Sequence, residues 1–592
     1  MKVSDYIMEF LADHGVKHVF MLAGGGSMHL VDSLGRNKQL EYVCCLHEQA
    51  ASFAAEAYAE YSRTPSAVLV TTGPGGTNCV TGVAAAWMES SPVIFISGQV
   101  RRAHFLGHDG IRSFGPQEVD IISIVKPITK YAARITFPSM VRYHLEEAWY
   151  QAISGRRGPV WLDVPLDVQA EEIDPEKLDA FIPEKQKKDD FEAQCLETMG
   201  LLEKAQRPVL LIGNGARRAG ALVEKLCKIV KIPVLTTWKA ADMFPEDSPL
   251  FCGRPGAIAS RGANFTQQNA DLLIVLGARL DLPQIAFSHE NFAPKAKKVI
   301  VDVDSKELSK FDMKVDVPVN SSVEDFLWEL MPYLEDITLP DTSAWLRKAK
   351  EWQKRYPVIL PEYWKERGYV NTYVLMDVLS DLCAWDDVLA PGSSGACSDI
   401  FYQSFRVKKG QRIINAPTLG AMGTGLPGSI GACLASAGNR RTICVCGDGG
   451  FQLNIQDLET VRRLHLPIKF FILCNDSYAS ITNMQKSHFN GNLVGSDPSS
   501  GLTLPEVSKV AAAYGVRSRS IYDHSLIRQQ VEAVLSMGGP VICDVHTSPN
   551  QKTQPRATSS LLPDGTIVSL PMEDMAPLLP RDEFNANMTE GV

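Results

Sequence analysis

Short runs of apolar and β-branched residues alternate with stretches of helical length along most of this chain. In the first region the runs read VKHVFML, LEYVCCL, SAVLVTTG, PVIFISG and PVWLDVP, and stretches such as EQAASFAAEAYAEYS follow them. Runs that are apolar throughout are typical of strands buried on both faces, as in a parallel sheet covered by helices. The pattern therefore predicts βα units around a parallel sheet up to about Val168.

The same alternation recurs twice more. A charged stretch, AEEIDPEKLDAFIPEKQKKDD, has the composition of a linker, and a second region with the runs PVLLIGNG, IPVLTTW, DLLIVLG and KKVIVDVD follows it. A third region opens near Val370, after a helical connector, and closes at PVICDVHTS. The end of the chain carries several prolines and acids, which favours irregular structure.

These regions predict an α/β protein with three doubly wound parallel-sheet domains and an irregular C-terminal tail. We place the domains at residues 1–170, 190–340 and 365–550, and the tail at residues 551–592. A chain of 592 residues is also too long for one ordinary hydrophobic core, which agrees with several domains.

The composition is that of a soluble globular protein, with 45% hydrophobic and 21% charged residues. A net charge of −9 without Lys/Arg clusters gives no reason to expect nucleic acid as a partner. No apolar run is long enough to span a bilayer, and Asp5, Glu9 and Asp13 stand where a signal peptide needs an uncharged core. We therefore expect a cytoplasmic protein without membrane contact, whose 13 cysteines are reduced core residues.

A glycine-rich turn, GNGARRAG, follows a predicted strand of the second region, as dinucleotide-binding turns do. However, Arg218 stands where the third glycine of that fingerprint belongs, and no acid ends the next strand, IPVLTTW. A tight βα turn is therefore favoured over a nicotinamide site.

Asp448 and Asn475 each follow an apolar run in the third region. Asp448 comes directly after TICVCG, and the helical stretch NIQDLETVRRLH and the run IKFFILC then lead to Asn475. Because parallel strands end at the same edge of a sheet, the two side chains are expected to lie together where α/β folds bind ligands. One carboxylate and one amide oxygen are ligands that Mg²⁺ takes, with phosphate and water completing its shell.

The residues around this pair suit a diphosphate. The backbone carbonyl of Ser477 can add a third oxygen ligand, and Gly447, Gly449 and Gly450 allow the backbone to approach a phosphate at a helix start. A plain turn is the ordinary interpretation of Gly-Asp-Gly alone. The order strand, Gly-Asp-Gly, helix, strand and Asn is more specific, and it favours a metal that holds a diphosphate.

With this spacing the chain resembles the pyruvate oxidase and acetolactate synthase superfamily of thiamine-diphosphate enzymes. Cys474 replaces the first Asn of the family's usual Asn pair, and Asn475 keeps the ligand position. LHEQAASFAAEAYAE matches the family segment whose glutamate, here Glu48, hydrogen-bonds the aminopyrimidine. TTGPGGTN matches the turn of the pyrimidine domain, and LGAMGTGLPGSIGA matches the segment whose methionine, here Met422, supports the bent cofactor.

The resemblance implies a role for many further residues. The three domains become pyrimidine-binding, central and diphosphate-binding, and Glu48, Gln117 and Met422 become the catalytic residues. The implied metal ligands are Asp448, Asn475 and Ser477. The remaining implied cofactor-binding residues are Gly25, Thr72, Gly73, Ser393, Ser394, Gly395, Ala396, Gly420, Gly447, Gly449, Gly450, Tyr478, Ala479 and Ser480. The family's active sites lie between subunits, so a homodimer or homotetramer is expected.

Within the superfamily the chain is most similar to acetolactate synthase, through RRGPVWLDVPLDV, QNADLLIVLGARLD, FAPKAKKVIVDVD and Gln117. This resemblance implies a carboligase that decarboxylates pyruvate or a near homologue and joins the product to a carbonyl acceptor. Four positions depart from the synthase. Leu166 replaces a lysine, Pro116 a phenylalanine, Met484 a tryptophan and Ala23 a proline.

Several alternatives stay open. FAD is one, because Arg156 and the turns GRPGAIASR and GARLD lie where the synthase binds it, while the synthase's histidine in the first turn and paired acids after the second are missing. A 2-oxo acid decarboxylase or a C–C lyase of a diketone could use the same cofactor. A non-catalytic, cofactor-binding regulatory subunit is the alternative from another class, although retention of Glu48, Asp448 and Asn475 argues against it.

Overall fold

The computed structural model describes residues 1–105, 111–184, 190–335, 338–438, 440–561 and 567–588. In these residues the chain forms three parallel sheets with helices around them, together with one short two-stranded antiparallel sheet. Contacts group the chain into two units. The first unit contains the first and third sheets, in residues 1–185, 386–398 and 412–549, and the second contains the remaining residues with the second sheet.

The first sheet has six strands in the order β2-β1-β3-β4-β6-β5. Its strands are β1 (His18–Met21), β2 (Glu41–Cys44), β3 (Ser66–Val70), β4 (Val93–Gln99), β5 (Tyr131–Arg134) and β6 (Val160–Pro165). The helices are α1 (Val3–Asp13), α2 (Met28–Arg36), α3 (Glu48–Ser62), α4 (Pro74–Thr77), α5 (Val80–Glu89), α6 (Ile121–Val125), α7 (Val141–Ile153) and α8 (Leu166–Ala170). Every residue of the central strands β3, β4 and β6 is buried, as their apolar runs predict.

The second unit has a five-stranded sheet in the order β11-β10-β9-β7-β8. Its strands are β7 (Pro208–Ile212), β8 (Val234–Thr236), β9 (Leu272–Leu276), β10 (Lys297–Asp302) and β11 (Val317–Asn320). The helices are α9 (Glu192–Leu202), α10 (Gly220–Val230), α11 (Arg261–Gln268), α12 (Ser305–Ser309), α13 (Val323–Leu334), α14 (Ser343–Arg355) and α15 (Thr372–Leu382). A Cβ added to Gly213 would lie 2.3 Å from the Gly277 carbonyl oxygen, so the turns after β7 and β9 touch.

The third sheet, in the first unit, has the order β13-β12-β14-β15-β17-β16. Its strands are β12 (Val388–Leu389), β13 (Arg412–Ile413), β14 (Thr442–Gly447), β15 (Ile468–Cys474), β16 (Arg517–Ile521) and β17 (Val541–His546). The helices are α16 (Ala396–Ser404), α17 (Gly425–Ala435), α18 (Asp448–Gln452), α19 (Leu458–Arg463), α20 (Ala479–His488), α21 (Val507–Ala513) and α22 (Ile527–Ser536). The sheet aligns the carboxyl ends of β14 and β15, where the predicted metal ligands follow.

The C-terminal segment, expected to be irregular, also contains regular elements. They are a two-stranded antiparallel sheet of β18 (Ser559–Leu561) and β19 (Ile567–Ser569) and a helix, α23 (Arg581–Met588). The segment belongs to the second unit, in which the Trp352 indole donates to Asn587 Oδ1 at 2.8 Å. Among the described residues, no helix combines the length and apolar character needed to cross a membrane.

Within the first unit, helices α3 and α17 pack against each other with almost no space between their backbones. A Cβ added to Gly431 would lie 1.9 Å from the Ala54 carbonyl oxygen. A Cβ added to Gly428, one turn earlier in α17, would meet only the Ala57 methyl, at 3.9 Å. The contact matters for the site because α3 begins at Glu48.

We expect Gly431→Ala to lower the free energy of unfolding by roughly 2–3 kcal/mol, because the methyl group forces two packed helices apart. Gly428→Ala is the matched control in the same helix. It removes a flexible residue without a clash and is expected to be neutral or to stabilise by up to about 1 kcal/mol. Urea unfolding of both variants measures the difference, and equal stabilities would contradict the close helix contact.

Candidate functional site

Asp448 and Asn475 lie side by side at the carboxyl edge of the third sheet. Asp448 directly follows β14 and Asn475 directly follows β15, and Gly447 pairs with Leu473 in the parallel register. The Asp448 carboxylate is buried, and its Oδ2 accepts hydrogen bonds from the backbone N–H groups of Asn475 and Asp476, each at 2.9 Å. The structure thus brings together the pair that the spacing predicted.

The oxygens at this edge suit a hard cation. Asp448 Oδ1 accepts from the Gly449 N–H at 2.8 Å, and Asn475 Oδ1 accepts from Ser477 N at 3.2 Å and Ser477 Oγ at 3.0 Å. Burial raises the pKa of the Asp448 carboxyl to about 6, and the backbone N–H donors partly offset this. Among the described residues no three His, Cys, Asp or Glu side chains group into a metal site, so a cation here needs further oxygens from a ligand or water.

Gly449 lies against two other predicted site residues. A Cβ added there would be 2.4 Å from the Tyr478 ring and 3.3 Å from Met422 Cε. A larger residue would therefore displace the Tyr478 ring. Gly450 follows inside α18, where an added Cβ would meet Cys446 Sγ at 3.4 Å. The turn is thus built for close approach, as the glycines predicted.

The loop between β12 and α16 brings Ser393 to Ala396 to the same region. Ser393 Oγ lies 2.7 Å from Thr424 Oγ1, and a Cβ added to Gly395 would be 3.1 Å from Ser480 Oγ. Gly395 has φ +69° and Gly420 has φ +63°, a conformation that glycine adopts without strain. Ala396 and Ala479 are the first residues of α16 and α20, so the predicted residues lie at turns and helix starts.

Glu48 is the first residue of α3, at the carboxyl end of β2. Its side chain is buried, and its Oε2 accepts a hydrogen bond from Asn78 Nδ2 at 2.9 Å. The ring of the preceding residue, His47, accepts from the Gln49 N–H at 3.1 Å and caps the helix. A capped helix start fixes where the carboxylate lies.

Thr72 offers a hydroxyl that nothing in the described protein uses. The residue is 3% exposed, and its Oγ1 has no hydrogen-bond partner among the described residues. It lies against Gly26, where an added Cβ would be 1.8 Å from that oxygen. By contrast, an added Cβ on Gly25 meets nothing within 4 Å, so the close approach in this loop belongs to Gly26 and Gly24.

Gly73 and Gln117 are in backbone contact. Gly73 has φ +66°, and a Cβ there would be 2.6 Å from the Gln117 carbonyl oxygen. Gln117 itself has φ +66°, which is unusual for a residue with a side chain. The structure thus brings Gln117 to the turn that also carries Thr72.

The segment from Asp448 to Asp457, between β14 and α19, contacts residues of both halves of the site within the first unit. Asn454 Nδ2 donates to Gln49 Oε1 at 3.1 Å and to the Gly423 carbonyl at 2.9 Å. Asp457 Oδ1 accepts from the Leu46 N–H at 3.1 Å. The segment that starts at Asp448 therefore contacts both residues that flank the His47–Glu48 pair.

Sequence reasoning missed Asn78, Asn454 and Asp457 as site residues. Asn78 ends the quoted TTGPGGTN turn, and the other two lie in NIQD, directly after the glycine turn. Polar residues so close to a predicted site could have been named as candidates. The partners of Asn454 and Asp457 lie more than 400 residues away in the chain, so the spacing of motifs alone could not identify these contacts.

Family models for thiamine pyrophosphate enzymes match three parts of the chain. The N-terminal TPP binding domain matches residues 1–124, the central domain residues 197–330, and the C-terminal TPP binding domain residues 393–545. The chain belongs to the thiamine pyrophosphate enzyme family. The two halves of the site described above lie within its two TPP-binding matches.

Curated relatives of this family carry the name acetolactate synthase. The chain is 32% identical to an acetolactate synthase large subunit of Cyanidium caldarium, over 92% of this chain and 93% of that protein. It is 29% identical to isozyme 1 of Escherichia coli (strain K12), over 93% and 95%, and 30% identical to a probable large subunit of Methanocaldococcus jannaschii, over 93% and 92%. The chain is thus a thiamine-diphosphate-dependent enzyme similar to acetolactate synthase, as the sequence motifs predicted.

The residues present fit thiamine diphosphate. At one end, the buried Thr72 hydroxyl lacks a partner and Glu48 is a buried carboxyl group. At the other, Gly449 permits close approach and Asp448 with Asn475 provides oxygens for a cation. A ligand with a polar ring at one end and a diphosphate at the other would use both sets.

We predict opposite effects of Thr72→Val on the free protein and on the complex. Without cofactor the variant should be equally stable or about 1 kcal/mol more stable, because an unsatisfied buried hydroxyl is removed. Its affinity for thiamine diphosphate should fall about tenfold, because the cofactor loses a hydrogen bond to the Thr72 hydroxyl. Thermal unfolding and isothermal titration measure the two effects.

Thr71→Val is the matched control in the neighbouring position. Thr71 Oγ1 already accepts from the Gly26 N–H at 3.1 Å, so its loss should lower stability by about 1 kcal/mol. Unchanged cofactor affinity in Thr72→Val would mean that the hydroxyl does not contact the cofactor.

Proposed function

We propose that this enzyme is a carboligase that decarboxylates a 2-oxo acid, pyruvate or a near homologue, and transfers the remaining acyl group to a carbonyl acceptor. Thiamine diphosphate and Mg²⁺ are the proposed cofactors. The observation that carries the proposal is the Asp448–Asn475 pair at the carboxyl edge of the third sheet, in a chain that also keeps a buried Glu48 at the start of α3. The names of the curated relatives support it.

Glu48 is proposed to move a proton at ring atom N1′ of the pyrimidine. When bound, thiamine diphosphate supplies the electron sink for the decarboxylated substrate. Glu48 can exchange a proton with N1′ because its carboxyl group is buried and held by Asn78 at 2.9 Å. Met422, near Tyr478 and Gly449, is proposed to support the bent cofactor through its unbranched side chain.

The diphosphate end is proposed to be held through a cation. Asp448 contributes a carboxylate, Asn475 an amide oxygen and Ser477 its carbonyl oxygen, in line with Mg²⁺ chemistry. Gln117 and the glycine and serine residues at the surrounding turns are proposed to contact substrate and cofactor. A homodimer or homotetramer with shared active sites and a cytoplasmic location stay predictions.

The acceptor is proposed to be bulkier or less charged than a second pyruvate. Met484, on α20, is 44% exposed and lacks the size and the indole N–H of the synthase's tryptophan. Leu166 begins α8 and replaces a lysine, which removes a positive charge that favours an anionic acceptor. Pro116, next to Gln117, is exposed and replaces a phenylalanine. An aldehyde or a larger ketone fits these changes.

Other activities are distinguishable by their products. A 2-oxo acid decarboxylase or a C–C lyase would release its product without joining it to an acceptor. A regulatory subunit would bind cofactor without turnover, and the retained Glu48, Asp448 and Asn475 disfavour it.

For FAD the chain gives opposing signals, since the matching turns are present and the synthase's histidine and paired acids are not. The absorbance spectrum of the purified protein decides whether flavin is bound.

Glu48→Gln is expected to reduce turnover by orders of magnitude while cofactor binding is kept, because an amide cannot transfer the proton. Glu56→Gln is the matched control. Glu56 is a buried glutamate of the same helix that accepts from Ser91 Oγ at 2.7 Å, away from the helix start. CO₂ release from pyruvate and titration with thiamine diphosphate measure both effects. Comparable turnover in Glu48→Gln and Glu56→Gln would remove Glu48 from the mechanism.

Asp448→Ala is expected to abolish Mg²⁺-dependent binding of thiamine diphosphate, because the cation loses its only carboxylate ligand. Asp476→Asn serves as control and should leave the affinity nearly unchanged, since this neighbouring acid is exposed and asparagine tolerates its φ of +53°. Isothermal titration with and without Mg²⁺ provides the measurement. Equal affinity in Asp448→Ala and the unmodified protein would refute the metal assignment.

Acceptor choice tests the proposed function itself. With pyruvate as donor, an aldehyde or larger ketone should reach a kcat/KM at least equal to that of a second pyruvate. The assay supplies a panel of acceptors and quantifies both CO₂ and the joined product. If acetolactate from two pyruvates is by far the fastest product, the altered positions have no effect on acceptor choice. CO₂ release without any joined product would favour the decarboxylase.

A further inference from the structure

A buried polar network lies at the carboxyl ends of strands β4, β5 and β6 in the first sheet. Its centre is Asp163, on β6, whose side chain is fully buried. Ser97 Oγ donates to Asp163 Oδ1 at 2.7 Å and accepts from the Trp161 indole N–H at 2.9 Å. Arg134 Nε donates to Asp163 Oδ2 at 2.8 Å. A fully buried aspartate is tolerated here because both carboxylate oxygens accept hydrogen bonds and the Arg134 guanidinium lies beside its negative charge.

The network continues to the segment that carries Gln117. Arg134 also donates from Nη2 to Asp120 Oδ1 at 3.2 Å. Its guanidinium carbon lies 3.6 Å from the centre of the Phe105 ring. Arg134 therefore contacts Phe105 and Asp120, which lie before and after Gln117 in the chain. Its guanidinium N–H groups bond the carboxylates, while the flat face of the same group lies over the Phe105 ring.

Gln99 provides a second connection to the same segment. Its Nε2 donates to Asp163 Oδ2 at 3.1 Å and to the Val119 carbonyl at 2.9 Å. Its Oε1 accepts from the Val100 N–H at 2.9 Å, so both ends of the amide are used. Asp163 thus reaches Val119 through one side chain and Asp120 through another.

Gln117 needs such support because of its backbone. It has φ +66° and its carbonyl lies against Gly73. A non-glycine residue keeps this conformation only where its surroundings hold it there. On the far side, Ile121 packs under the same turn, where a Cβ added to Gly76 would meet Ile121 Cγ1 at 3.0 Å.

We propose that Arg134 and Asp163 are positioning residues that hold Gln117 against the Gly73 turn for the reaction. They act through Val119 and Asp120 and do not touch substrate or cofactor themselves. The proposal rests on the proposed function for its kinetic consequences. Loosening the network should misplace Gln117 and leave the Asp448–Asn475 pair, which lies on the third sheet, unaffected.

The variants Arg134→Gln and Asp163→Asn both break the ion pair. Asp163→Asn keeps the side-chain size, and Arg134→Gln leaves a shorter polar side chain. Arg134→Lys is the conservative variant, which keeps the charge but cannot contact Asp163, Asp120 and Phe105 together. The matched control is Arg441→Gln. Arg441 forms a two-bond ion pair with the buried Asp387, at 2.9 and 2.6 Å, next to the amino end of β12, the opposite edge from the site.

Two measurements on the full-length protein separate a positioning role from a purely structural one. The first is hydrogen exchange of residues 119–126, which needs no substrate. There the Ile121 N–H donates to the Val119 carbonyl at 2.9 Å and α6 follows. Exchange there should rise on the order of tenfold in Arg134→Gln and Asp163→Asn, and not in Arg441→Gln. The second is steady-state kinetics with pyruvate, where kcat/KM should fall about tenfold or more while the affinity for thiamine diphosphate stays unchanged. Arg134→Lys should lie between.

The outcomes are distinct. Exchange of residues 119–126 and kcat/KM equal to those of Arg441→Gln would overturn the proposal, as would a loss of thiamine diphosphate affinity equal to the loss of kcat/KM. If the unmodified enzyme does not act on pyruvate, the proposed function fails, and the exchange data alone then decide whether the network holds Gln117. If Arg134→Gln does not fold, Arg134→Lys supports the proposal by raised exchange and overturns it by exchange unchanged from the unmodified protein.

Discussion

The carboxylate of Asp448 joins the ends of two neighbouring strands, and the site depends on that contact. One oxygen accepts two backbone N–H groups from the residues after β15, and the other accepts the N–H of Gly449. Three donors compensate for placing a carboxylate in a buried position. The same bonds fix the direction in which the chain leaves β14 and β15. The positions of Asn475 and of the turn at Gly449 therefore both depend on the Asp448 carboxylate.

Burial explains which parts of the fold could be predicted. The central strands, such as β4 and β15, read as apolar runs because both faces are covered. In the three parallel sheets, the strands that the pattern did not reveal are β5, β11, β12, β13 and β16. Four of them, β5, β11, β13 and β16, lie at sheet edges, and β5, β11 and β16 are partly exposed, with sequences such as YAAR and RSRSI. β12 and β13 are only two residues long. All five are too short or too polar for a hydrophobic period to be detected.

The site divides in a similar way. Asp448 and Asn475 could be placed together from sequence because both follow strands that had to be neighbours. In the Asn454–Gln49 contact, Asn454 follows a strand of the third sheet and Gln49 follows a strand of the first, so no local sequence pattern predicts it. The free Thr72 hydroxyl is also a property of packing and not of spacing. Residue identity and spacing predicted that Asp448 and Asn475 lie together, while the supporting contacts required the three-dimensional arrangement.

The segment from Asp448 to Asp457 has a consequence for which changes in length this chain tolerates. Asp448 at its start holds the residues after β15, and Asn454 and Asp457 contact the residues on either side of the His47–Glu48 pair. A residue inserted or deleted within α18 would turn the following chain by about 100° and shift it by about 1.5 Å, which would move Asn454 away from Gln49. Side chains of this segment that make none of these contacts can vary, but its length cannot. Surfaces elsewhere, such as α20, where Met484 lies, can change without altering the spacing between the two ends.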